Sequence, residues 1–183
     1  IPSIEKHLRY SGLCSDAAIK AAMDEQKELT VQGRFLPLGQ ILVNNERISQ
    51  PELDEIAQSI ELQAMAAVEL FQDLSPSELS QLHHKCEALH LPDQAPLFQE
   101  GDSADAYYII VSGLVRVFRH SQEGLEIDLN YLRAGDGFGE MGILHQGIRT
   151  VHASCVGPVH LLKISGECRP LLSASELSSP CKL

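Results

Sequence analysis

The segment that most constrains this chain runs from Gly124 to Thr150. A strand-like stretch, Gly124 to Leu132, feeds the glycine-rich turn Ala134-Gly135-Asp136-Gly137. Phe138-Gly139-Glu140-Met141-Gly142-Ile143-Leu144 follows, and Arg149-Thr150 comes next, with the arginine nine positions after Glu140. A turn this rich in glycine lets the backbone approach a ligand closely and leaves amide N–H groups free to point at it. One turn of helix beginning near Glu140 would present its positive end to an anion. Arg149 can close on the same anion with a bidentate fork. Ionised Glu140 only accepts hydrogen bonds, so it suits a sugar hydroxyl and not a phosphate. Together these parts describe a pocket for a small phosphate that carries a ribose.

The chain on either side of this segment divides by its periodicity. Residues 1–65 read as helical. Ala18, Ile19, Ala22 and Met23 recur at helical spacing behind an N-cap candidate, Ser15. Ser49-Gln50-Pro51-Glu52 combines a second cap candidate with an early proline and an acidic first turn, ahead of Leu53, Ile56, Ala57 and Ile60. The two units repeat at an offset of 34 positions, Leu8 to Leu42: Ser15 matches Ser49, Ile19 matches Leu53, and Ala22-Met23 match Ile56-Ala57. Residues 66–91 are expected to continue helical, with a fresh start at Leu74-Ser75-Pro76-Ser77-Glu78. After Pro92 short strands take over. Residues 106–118 carry Ser112-Gly113 as a turn or bulge. Leu125, Ile127, Leu129 and Tyr131 alternate with Glu126, Asp128 and Asn130, which predicts a half-buried strand. Val151, Ala153 and Cys155 form one alternation, and 159–164 another short strand. From Glu167 the spacing is weakly helical. The expected fold class is α+β: a helical domain of two repeated units over residues 1–65, then a β jelly roll with flanking helices over residues 66–183.

The 183 residues carry a formal net charge of −11. An acidic surface of this kind argues against nucleic acid or an anionic membrane as a partner of this chain. Five scattered cysteines without a C-x-x-C pair fit reduced thiols, and no apolar run reaches the ~20 residues of a membrane span. The start Ile1-Pro2-Ser3 lacks a signal peptide's basic and apolar regions, so a cytoplasmic protein is expected. A start without Met also suits a piece of a longer protein. There is no G-x-S-x-G elbow and no P-loop, and the carboxylates read as a solvated face, so no enzyme and no catalytic residue is expected. His83-His84 point apart on a helix and Cys86 completes no ligand set, so no metal is expected; His145, His152 and His160 read as turn or surface residues, and Cys155 and Cys168 as small packing residues.

Residues from about Leu70 to Leu172 resemble the cyclic nucleotide-binding domain, the fold of catabolite activator proteins, of regulatory subunits of cyclic AMP-dependent kinase and of cyclic nucleotide-gated channels. The resemblance is carried by Leu74-Ser75, Glu100-Gly101-Asp102, Tyr108-Ile109-Ile110 with Gly113, Gly135-Asp136, Phe138-Gly139-Glu140 and Arg149-Thr150. It implies cyclic AMP or cyclic GMP as the ligand, with no other cofactor. It assigns Glu140 to the ribose 2′-hydroxyl, the amides of Gly139, Met141 and Gly142 to sugar and phosphate, and Arg149 to the cyclic phosphate. Thr150 would add its amide and hydroxyl. Leu129, Leu132 and Val117 would form the apolar wall around sugar and base. Val151 departs from the small residue common in the family and narrows the pocket, and with the chain stopping at Leu183 most of the family's lid helix is not expected.

Residues 1–65 are similar to the N-terminal domain of type II secretion and pilus ATPases, through Leu38-Gly39-Gln40-Ile41-Leu42-Val43, Ile48-Ser49 and Leu53. Some of those domains bind cyclic di-GMP, but Pro37 stands here in place of their arginine and Glu46 in place of glycine. The expectation is therefore a docking or self-association domain. The whole reads as a non-enzymatic sensor that signals to a protein partner through its helical domain. The alternatives are a ligand-free interaction module, the sensory fragment of a longer transcription regulator, or a cyclic di-GMP effector.

Overall fold

The structure, a computed structural model, describes residues 3–140 and 147–166. Four helices come first: α1 (Ile4–Ser11), α2 (Asp16–Val31), α3 (Leu38–Asn44) and α4 (Gln50–Ala67). Shifting α1 and α2 by the 34-residue offset lands them on α3 and α4, so the sequence repeat is a structural one. Ser15 caps α2 by accepting from the Ala18 amide, and Ser49 caps α4 in a capping box with Glu52. Leu8 and Leu42, the matched pair, are both fully buried.

A 3-10 turn (Glu69–Phe71) leads to α5 (Pro76–His83), again opened by a capping box, Ser75 with Glu78. The helical reading does not extend to residue 91. Strand β1 (Glu87–Leu91) begins four residues after α5, because its backbone pairs antiparallel with the last long strand, Glu87 opposite Lys163 through Leu91 opposite Val159. The remaining strands are β2 (Pro96–Phe98), β3 (Ala106–His120), β4 (Glu126–Arg133), β5 (Gly137–Phe138) and β6 (His152–Ser165). They form one antiparallel sheet in the order β1-β6-β3-β4, with β2 added on β6 and β5 on β3, rolled into the barrel-like body of the jelly roll. The Ser112-Gly113 signal is a bulge within one continuous β3, and the two short alternations after Thr150 are one strand, β6, bent around Gly157-Pro158.

Two cores share the sheet. Ala106, Tyr108 and Ile110 of β3 point into the roll with Phe98, Phe138, Cys155 and Leu161. Tyr107, Ile109 and Val111, the alternate residues, point outward and pack under α4, Phe71 and Leu82 together with Leu162 and Ile164 of β6. The first half of β3 is therefore buried on both faces, which explains its uninterrupted apolar run. Strand β4 departs from expectation. Leu125, Ile127, Leu129 and Tyr131 are all exposed, because β4 is the outermost strand of the hairpin and only Leu132 near its end reaches the interior. Tyr131 and Asp128 join Arg116 in a surface network in place of packing inward. The expected helix after Glu167, Cys168 and the turn carrying His145 lie outside the described residues.

Candidate functional site

The site lies where the β4–β5 turn meets the segment leading into β6. Asp136 anchors the turn by accepting from the Arg133 amide, and the Gly135 amide donates to the Ile110 carbonyl. Beyond β5 the chain reverses at Gly139, whose φ of +84° lies in the left-handed region that glycine occupies without strain. The segment 147–149 is held from the other side by 101–104. The Arg149 amide donates to the Asp102 carbonyl, the Gly101 amide to the Arg149 carbonyl, and the Ala104 amide to the Gly147 carbonyl, each at 2.8–2.9 Å. The Glu100-Gly101-Asp102 motif thus serves as a backbone clamp that fixes where Arg149 starts.

The Arg149 side chain turns inward and is only 5% exposed. Its Nη2 donates to the Ala106 carbonyl at 2.7 Å and its Nη1 to the Gly139 carbonyl at 3.3 Å. The guanidinium lies over the Phe98 ring at 4.2 Å and near Tyr108 at 5.6 Å, while Nε has no partner among the described residues. No carboxylate pairs with it among the described residues, so Glu140 and Arg149 are not an ion pair. A buried guanidinium satisfied only by carbonyl dipoles and ring faces is an incompletely neutralised charge. A Cβ added at Gly139 would come within 2.6 Å of Arg149 Nη1, so the glycine also makes room for the cation.

A pocket of about 240 Å³ opens over this guanidinium. Six of the nine residues expected from the sequence line it: Gly139, Glu140, Arg149, Thr150, Leu132 and Val117. Leu129 does not line it, since a register shift in the β3–β4 pairing accompanies a β4 surface position half open to solvent. Met141 and Gly142 lie outside the described residues. The sequence reading missed Phe98, Phe138 and Asn130, which line the pocket, and Tyr108, which stacks on Phe138 with ring centroids 5.4 Å apart. Phe138 belongs to the Phe138-Gly139-Glu140 motif and Phe98 stands two positions before Glu100-Gly101-Asp102, and that proximity was the available signal.

A second polar cluster sits away from this pocket. Glu61 of α4 is buried and meets two histidines. His83 Nε2 of α5 is 2.6 Å from Oε2, and His160 Nε2 of β6 is 2.9 Å from Oε1, the latter too poorly aligned to count as a full hydrogen bond. Burial by itself would raise the Glu61 pKa, but the contacts with His160 and His83 outweigh it and hold the value down to about 2. The surface reading of His160 is thereby corrected, while His152, partly exposed, stacks on Phe118 and touches His120 at 3.0 Å. Glu61 is likewise an exception to the solvated carboxylate face. Among the described residues no group of three or more His, Cys, Asp or Glu could hold a metal ion, and no helix is long and apolar enough to cross a membrane.

With the fold and pocket defined, comparison with known proteins places the chain. Residues 88–168 match the model of the cyclic nucleotide-binding domain, and this stretch of the chain belongs to that family. It is 36% identical over 98 residues to a cyclic AMP receptor protein of Thermus thermophilus, covering 54% of this chain and 45% of that protein. It is 31% identical over 100 residues to a CRP-like cAMP-activated global transcriptional regulator of Mycobacterium tuberculosis, again covering 45% of its length. The match thus spans about half the length of these relatives. A cyclic nucleotide-binding-like protein of Brucella abortus superposes with a TM-score of 0.56 at 31% identity, over 61% of this chain and 97% of that one. The chain therefore carries a cyclic nucleotide-binding domain over residues 88–168, homologous to part of CRP-like proteins.

Proposed function

We propose that this chain is a non-enzymatic, cytoplasmic sensor that binds cyclic AMP or cyclic GMP over Arg149 and passes the binding signal to its helical unit. The observation that carries this reading is the buried Arg149 guanidinium, which lines the pocket and is paired with no carboxylate among the described residues. A cyclic phosphate supplies the missing charge and two further acceptors. Glu140, on the pocket wall, accepts from the ribose 2′-hydroxyl. Thr150 adds a hydroxyl, and Val117, Leu132 and Val151 enclose sugar and base, with Gly139, Met141 and Gly142 contributing backbone amides. The names of the relatives support a cyclic AMP ligand and a regulatory role without chemistry.

The working division is a helical unit over residues 1–65 and a nucleotide-binding unit over 66–183. Strand β6 begins two residues after Thr150 and carries His160 to Glu61 of α4, a continuous path from pocket to helices. Nucleotide binding shifts the population of arrangements only if it favours one of them. The helical unit then presents the change to a protein partner or a second copy. Calorimetric titration with cyclic AMP and cyclic GMP tests the binding step. Saturable heat is expected, and Arg149→Ala should lose more than about 1 kcal/mol of binding free energy. Absence of heat and of any Tm shift at millimolar nucleotide would sink the proposal.

A second reading, the same sensor as part of a longer transcription regulator, is favoured by the names of the relatives and by the partial coverage of their length. Nucleotide-dependent binding of the full-length protein to DNA fragments would select it over the partner-protein reading.

A further inference from the structure

We infer that Asn130 reads the base of the bound nucleotide and selects a 6-oxopurine, as in cyclic GMP, over adenine. This rests on the nucleotide reading of the Arg149 pocket and narrows it to one class of base. Among the described residues, the polar side chains on the pocket wall are those of Arg149, Glu140, Thr150 and Asn130. Charge and hydrogen-bonding type match Arg149 to the phosphate and Glu140 to the ribose 2′-hydroxyl, and Thr150 adjoins Arg149 in the chain. Asn130 is left for the base. It pairs across the strands with Val117 of β3, and Leu132 stands two positions further along β4, so on the same face. A purine has apolar faces and a hydrogen-bonding edge, and a wall of Val117 and Leu132 that carries a single carboxamide suits both.

One bond orients that carboxamide. Asn130 Oδ1 accepts from the Tyr131 amide at 2.8 Å. Only the oxygen can meet an N–H, which fixes the two ends of the group. Oδ1 is thus turned back on its own strand, and Nδ2 stands on the other side of Cγ. Asn130 is exposed, and Nδ2 has no hydrogen-bond partner among the described residues, so a nucleotide in the pocket is offered a donor. Asparagine meets adenine by accepting from N6 with its oxygen while donating to N7 with its nitrogen. With Oδ1 held by the backbone, the adenine N6 amino group faces N–H groups in place of an acceptor. Guanine presents O6 and N7, two acceptors on one edge, and the N–H groups of Nδ2 can satisfy both. Asp128, the neighbouring carboxylate on β4, does not line the pocket. It is bonded to Arg116 and to the Tyr131 hydroxyl, so it offers N6 no alternative acceptor.

The test is calorimetric titration of the whole chain with cyclic GMP, cyclic IMP and cyclic AMP. Cyclic IMP carries the 6-oxo group without the 2-amino group of guanine, so it isolates the contact at position 6. Cyclic GMP and cyclic IMP are each expected to bind about 5-fold or more tighter than cyclic AMP. Asn130→Leu removes the donor and should bring the three within about 2-fold of one another. Asn130→Asp keeps one oxygen for the Tyr131 amide and turns the other, an acceptor, towards the base. It should weaken all three through repulsion of the phosphate and reverse the order, with cyclic AMP the tightest. Cyclic AMP binding as tightly as cyclic IMP to the parent chain, or an order that Asn130→Asp leaves unchanged, overturns the base assignment while the sensor reading stands. No binding of any of the three at millimolar concentration overturns both. Should a variant fail to fold, the order of cyclic IMP and cyclic AMP on the parent chain decides alone.

Discussion

At the scale of single residues, Arg149 concentrates the tension between folding and function. Its spacing from Glu140, across a glycine-rich segment, points in the sequence to an anion ligand, since a guanidinium can close on an anion with a bidentate fork. Its burial was not legible there. That depends on Phe98 and Tyr108, brought in from separate strands, and on the Ala106 carbonyl 43 positions away. A buried charge without a counter-charge contributes little to stability and can oppose it. Arg149→Met, which keeps the length and apolar stem, is therefore expected to abolish nucleotide binding while Tm stays within about 4 °C of the parent. A calorimetric melt paired with a nucleotide titration checks both halves. A large drop in Tm would mean that the carbonyl contacts of Arg149 hold the turn together on their own.

At the scale of elements, local signals did well where local physics decides. Ser15, Ser49 and Ser75 cap helices because each side chain accepts from an amide three residues on, a purely local geometry. The repeat was legible for the same reason, as amphipathic spacing is a property of one helix. Strands were harder, because pairing partners lie far away in sequence. Residues 87–91 become β1 only through β6, more than sixty positions on. The β4 alternation predicts a half-buried strand, yet alternation reports only that two faces differ, and tertiary position decides whether either is covered. Ile127 is 51% exposed whereas Ile109 is fully buried. Ile127→Lys should accordingly change stability by less than about 0.5 kcal/mol. Ile109→Ala should cost about 2–5 kcal/mol, so denaturant titration of the two variants separates the positions clearly.

At the scale of the whole molecule, Glu61 joins the helical unit to the roll through His83 and His160. Its folded pKa of about 2 lies below the ordinary 4.5, so the fold prefers the ionised form. The stability this contributes, on the order of 3 kcal/mol, is fully present above about pH 4.5 and is lost as pH falls through about 2. Melting curves between pH 2 and 6 should show this loss, and Glu61→Gln should flatten it; an unchanged slope would remove Glu61 from the joint. By itself, the sequence determined the α+β class, the helical repeat, the turn at Gly139 and the cation nine positions after Glu140. Each of these rests on neighbours within a turn or a short segment, where steric preference and hydrogen-bond geometry act directly. Only the tertiary structure decided that Arg149 is buried under aromatic rings, that β4 stays open to solvent, and that Glu61 meets two histidines. Those outcomes depend on which distant surfaces exclude water from one another, and no local pattern encodes that.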